Sequence, residues 1–84
     1  MKVYAVIMDW EFRGDRGTSF SLYATKAKAQ EMLEKFKQEE FANSWISEIE
    51  DIYNIDNYDD EPEYFDCCDG DRRTTIWIEE KEIV

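Results

Sequence analysis

The side chains best equipped for chemistry lie in one stretch, DNYDDEPEYFDCCDGD, from Asp56 to Asp71, which gathers acids, tyrosines and a cysteine pair without one basic residue. Carboxylates near a glycine invite a calcium loop. Such a loop needs oxygen ligands at alternating positions, Gly at the sixth and a bidentate Glu at the twelfth. Counting from Asp56 meets Tyr58 and Asp60, then Glu61 where the glycine should stand. Counting from Asp9 puts Gly14 correctly at the sixth place, but Arg13 falls on a ligand position and Phe20 on the twelfth. Neither loop fits, so no specific metal site is expected, only weak adventitious cation binding by Asp56, Asp59 and Asp60.

Cys67 and Cys68 are adjacent, with Cα atoms about 3.8 Å apart across a trans peptide, so a mutual disulfide would be strained. Two thiols in a chain without histidine would have to recruit carboxylates to close a tetrahedral zinc site. The acids around them should raise the thiol pKa and make poor nucleophiles. Alternation in a short strand would send one thiol inward and the other outward. Catalysis lacks its parts: there is no His to act as general base, no Ser elbow, and no GxxxxGK or GxGxxG loop. Paired carboxylates occur by chance among 21 acids. The expectation is a protein that is not an enzyme and carries no cofactor.

What remains is the distribution of charge. The formal net charge is −11 over 84 residues. Residues 1–37 sum to +2, residues 72–84 to zero, and residues 38–71 hold thirteen acids with no Lys or Arg. A merely solvated face usually interleaves signs to form i, i+4 pairs. This acidic block excludes basic residues, yet it contains Phe41, Trp45, Tyr53, Tyr58, Tyr64 and Phe65, which argues for a surface held in shape. Wholly helical, its charges would lie about 4 Å apart along the axis. Fully extended, they would thin to about one per 9 Å. One nucleic acid strand carries a phosphate about every 3.4 Å, so only a folded block approaches that density.

The elements that must position these residues follow from periodicity. Lys2 to Trp10 and Thr18 to Ala24 alternate as strands, joined by EFRGDRG as a hairpin with a longer loop. Thr25 is a good N-cap for KAKAQEMLEKFKQEEF, whose Ala29, Met32, Leu33 and Phe36 share a helical stripe. Phe41, Trp45, Ile49 and Ile52 repeat at helical spacing in a different phase, so a kink or second helix is expected near Asn43 and Ser44. Glu63 to Cys67 is read as a short edge strand, turned by Asp69 and Gly70 into a final strand, TTIWIEEKEIV. The expected fold is α+β: one domain over residues 1–84, in the order β-β-α-(α)-β, with a small antiparallel sheet and helix packed on one face.

The opening MKVY, the hairpin and the step Tyr23, Thr25, Lys28, Ala29 into the helix resemble a loose group of small phage and mobile-element proteins. The resemblance covers about the first 37 residues plus the charged closing strand, and leaves the acidic block outside it. By analogy with acidic inhibitors of that origin, the resemblance implies a protein that blocks a host defence enzyme, in the manner of anti-CRISPR or anti-restriction proteins.

The combined expectation is an acidic binding protein that mimics nucleic acid and occupies the basic groove of a nucleic-acid-binding protein, a CRISPR effector or restriction enzyme. The expected contacts are Glu48, Glu50, Asp51, Asp56, Asp59, Asp60, Glu61 and Glu63, with Tyr58 and Tyr64 as aromatic anchors. The alternative is a small accessory interaction module whose charge serves solubility. Direct binding of nucleic acid or membrane is disfavoured by the charge, and the chain should be a monomer or small homo-oligomer. The apolar run at the amino terminus is short for a leader and no stretch is long enough to span a bilayer, so a cytoplasmic location is expected. Crowding of like charges should also raise the acids' pKa values, so stability should increase as pH falls from 7 towards about 5.

Overall fold

The computed structural model describes residues 1–83. The alternating amino-terminal run forms strand β1 (Lys2–Phe12), and a two-residue turn returns it as β2 (Asp15–Tyr23). The expected longer loop is not formed. Arg13 and Gly14 both take positive φ, 52° and 91°, a geometry that follows the twist of a hairpin, so pairing continues down to Phe12 opposite Asp15.

Thr25 caps helix α1 (Lys26–Asn43), accepting a hydrogen bond from the Lys28 N–H at 3.2 Å. Ala29 and Leu33 are buried against the sheet, and Met32 and Phe36 are half-buried beside them. The change of phase is resolved at Ser44. Its hydroxyl donates to the Glu40 carbonyl at 2.7 Å and accepts from the Ile46 N–H at 3.2 Å, ending α1 and opening a 3-10 turn at Trp45–Glu48. A second 3-10 turn, Ile52–Asn54, starts on the Asp51 carboxylate, which accepts from the Tyr53 N–H. Phe41, Trp45, Ile49 and Ile52 can then all pack on the same core.

The acidic block continues as a hairpin of β3 (Asn57–Glu61) and β4 (Tyr64–Asp69), turned at Pro62 and Glu63. A second tight turn, with Gly70 at φ 64°, leads into β5 (Arg72–Glu82). The five strands form one antiparallel sheet in the order β2-β1-β5-β4-β3. The segment read as an edge strand is therefore an inner strand, β4, and the edge is β3, whose sequence NYDDE has little strand propensity of its own.

Helix and 3-10 turns cover one face of the sheet, over a core of Val6, Ala29, Leu33, Ile46, Phe65, Cys67 and Ile76. Full burial of side chains such as Phe65, Leu33 and Ile76 contributes about 1.5–3 kcal/mol each. The opposite face carries the alternate residues of every strand. The register aligns Phe20, Ile7, Trp77, Tyr64 and Glu61 in one row across it, with Thr18, Asp9, Thr75, Asp66 and Asp59 in the next.

Candidate functional site

Folding sorts the acids of the block into those tied to cations elsewhere in the chain and those that are not. Asp60 reaches Lys37 at 2.8 Å, Glu63 reaches Lys26 at 2.6 Å, Asp66 reaches Arg73 at 3.0 Å, and Arg72 holds both Asp69 at 3.0 Å and Glu48 at 3.6 Å. The helix and β5 thus supply the positive charge that the block lacks in sequence. Lys26 and a hydrogen bond from Gln30 hold the Glu63 carboxyl below its ordinary range. Lys37 is itself buried; burial would lower its pKa, but Asp60 and Glu34 outweigh that and raise it.

Two further acids have structural work of another kind. Asp51 starts the second 3-10 turn, and Asp56 accepts the Gly70 N–H at 2.8 Å, fastening the start of β3 to the turn before β5. Of the predicted contacts this leaves Glu50, Asp59 and Glu61 as exposed acids with no basic partner among the described residues. Glu48 stays largely exposed despite its long contact with Arg72. Asp59 and Glu61 point from β3 to the helix-free face, one in each of its two central rows.

The tyrosines separate as well. Tyr58 does not stand out as a surface anchor: its ring packs edge-on to Phe65 at 6.0 Å, and its hydroxyl donates to Asp60 at 3.1 Å. Burial, then Asp60, push its pKa up to about 12. Tyr53, packed edge-on to Tyr58 at 5.8 Å, is the exposed aromatic of this corner, at 86%. Tyr64 is half-buried on the helix-free face, opposite Trp77.

The thiols occupy opposite faces, Cys67 in the core and Cys68 half-buried on the far side. Burial first, then Asp66, push Cys67 up to about 12, and burial raises Cys68 also, so neither is a ready thiolate at neutral pH. The acids contribute to these shifts, but burial is the larger cause.

A node that spacing did not disclose is Asp66, 2% exposed on the helix-free side of β4. Its two oxygens accept from Arg73 Nε at 3.1 Å and Nη2 at 3.0 Å, from Thr75 Oγ1 at 2.9 Å and from Asn57 Nδ2 at 2.6 Å. This satisfied carboxylate binds β3, β4 and β5 together and offsets its like-charged cross-strand neighbour, Asp59. The available signal was the alternation Tyr64, Asp66, Cys68, which puts Asp66 on the face shared with Arg73 and Thr75. A shallow cleft of about 570 Å³ lies on this face, bounded by Asp9, Thr18, Tyr64, Arg73, Thr75 and Trp77. Among the described residues, no group of three or more His, Cys, Asp or Glu side chains is arranged to hold a metal ion. No helix of the described residues is long and apolar enough to cross a membrane.

Comparison with protein-family models, with curated proteins and with solved structures finds no match to this chain.

Proposed function

We propose that the protein is a non-enzymatic acidic binding protein, an inhibitor of phage or mobile-element type. Its β3 edge and the loop before it occupy the Lys/Arg-lined groove in which a CRISPR effector or restriction enzyme holds nucleic acid. The supporting observation is the segregation of charge in the folded chain. Residues 1–23, which make up the β1–β2 hairpin, sum to zero charge, while the acidic block forms the other edge of the sheet.

The charge left uncompensated by the fold still approaches the density this reading needs. From Asp56 to Asp71 the hairpin holds eight acids, of which Asp60, Glu63, Asp66 and Asp69 are compensated. Of the other four, Asp56, Asp59 and Glu61 follow one another along about 17–20 Å of the β3 edge, roughly one charge per 6 Å and within a factor of two of the phosphate spacing of one strand, and Asp71 lies in the turn before β5. Glu50 and the exposed ring of Tyr53 extend the surface along the loop.

The test is DNA binding and cleavage by purified CRISPR effectors and restriction enzymes in the presence of the protein. Inhibition of an effector should weaken with rising salt and be relieved by excess nucleic acid. The variant E50K/D59K/E61K touches none of the ion pairs that hold the fold and should lose inhibition at least ten-fold. Undiminished inhibition by that variant would overturn the proposal.

A further inference from the structure

We infer that β2 is a homodimerisation edge: two copies pair their β2 strands antiparallel about a two-fold axis, joining the sheets into one. This does not rest on the acidic-edge proposal and concerns the opposite side of the molecule. A sheet edge exposes unpaired N–H and C=O groups, and proteins that remain monomeric blunt such edges with charge, proline, bulges or brevity. The β3 edge is short and carries Asp59, Asp60 and Glu61. The β2 edge has no such guard. It runs for nine residues with no proline or lysine, pairs with β1 without a bulge, and has no charge from Gly17 to Tyr23. Phe20 and Leu22 stand 68% and 55% exposed on its helix-free side, and Ser19 on the other side is exposed as well.

A second copy is the occupant that the charge distribution selects. A molecule of net charge −11 repels its copy over most approaches, but residues 1–23 carry no net charge. The β3 edge lies four strands from β2, about 19 Å at a spacing of roughly 4.8 Å, beyond a physiological Debye length of about 8 Å. Pairing through β2 therefore brings neutral edges together and sends the two acidic edges to opposite ends. The strand is also self-complementary. An axis at Ser19 sets Thr18 against Phe20 and Gly17 against Ser21 of the other copy, while Asp15 and Arg16 meet Tyr23 and Leu22, so no like charges face each other. The row Phe20, Ile7, Trp77 and Tyr64 then continues into the other copy's row Thr18, Asp9, Thr75 and Asp66, and the two Phe20 side chains become diagonal neighbours across the axis. A contact of this length buries less than the roughly 1,000 Å² of a tight interface, so a dimer of micromolar or weaker affinity is expected.

Sedimentation velocity on the full chain, from about 5 to 500 µM at moderate salt, reads the equilibrium by mass action. The wild type should shift from monomer towards dimer over this range, with slower amide exchange across β2 at the high end. Because both positions are exposed, F20K/L22K should stay folded and monomeric throughout. D59K/E61K, at the far edge, should dimerise at least as well as wild type. A wild type that is monomeric at every concentration, or an F20K/L22K variant that dimerises like wild type, would overturn the inference. Loss of the dimer in Y64K, on the helix-free face away from β2, would also overturn it by pointing to face-to-face packing.

Discussion

At the scale of single residues, the carboxylates of this protein differ in role more than their shared sequence context suggests. Asp66 and Asp59 face each other across β3 and β4, yet one is buried in a network of four hydrogen bonds and the other is exposed. Removing Asp66 leaves Thr75 and Asn57 without their acceptor and the Arg73 guanidinium without its partner, a loss of about 2–3 kcal/mol. Asp66→Ala should therefore lower the melting temperature by about 10–20 °C, whereas Asp59→Ala should change stability by no more than about 0.5 kcal/mol. Comparable melts for the two variants would show that Asp66 is no structural node. Arg13 makes the opposite case, a side chain held where glycine is preferred. Its φ of 52° carries a cost of about 1 kcal/mol for a residue with a Cβ, so Arg13→Gly should raise the denaturation midpoint despite the looser unfolded chain. A lowered midpoint would mean that the Arg13 contact with the Phe12 ring, 5.0 Å to its centroid, outweighs the strain.

At the scale of elements, what was legible depended on whether a segment's own pattern set its structure. The β1 strand, the Thr25 cap and the α1 stripe are local, so propensity and periodicity located them. The turn at Arg13 and Gly14 was legible as a turn but not as a tight one, because a non-glycine residue in the left-handed region is uncommon. The β3 strand was not legible at all. Its NYDDE sequence is extended because of distant partners: Lys37 on Asp60, Phe65 against Tyr58, and Asp66 on Asn57. Tertiary contacts likewise leave Glu50, Asp59 and Glu61 as the exposed acids without a basic partner among the described residues. Which acids are compensated depends on Lys26, Lys37, Arg72 and Arg73, and only tertiary structure brings those cations to the block.

At the scale of the whole molecule, charge bears on stability and on the proposed association. The carboxyls of Glu34, Glu63 and Glu79 are all held below their ordinary range, each chiefly through a lysine partner. For Glu63, the one of the three within the acidic block, this is opposite to the direction expected from crowding. A depressed folded pKa gives stability that is present above the unfolded value, ordinarily 4.5, and is lost as pH falls through the folded value. On the alkaline side, Cys67 and Tyr58 are both pushed up to about 12, so the stability of their neutral forms is present below their ordinary 9.0 and 10.0 and is lost above them. Thermal melts should be level between pH 5 and 8, then fall below about 4.5 and above about 9. A melting maximum near pH 4 would instead restore crowding as the dominant effect. The measurement closest to the functional claim is the affinity for an inhibited nucleic-acid-binding enzyme, read across salt concentration for wild type and for E50K/D59K/E61K. An anionic edge seated in a basic groove predicts a steep fall in wild-type affinity with rising salt and a variant that binds weakly with a flatter slope. Affinity that is independent of salt and equal in the two proteins would contradict it.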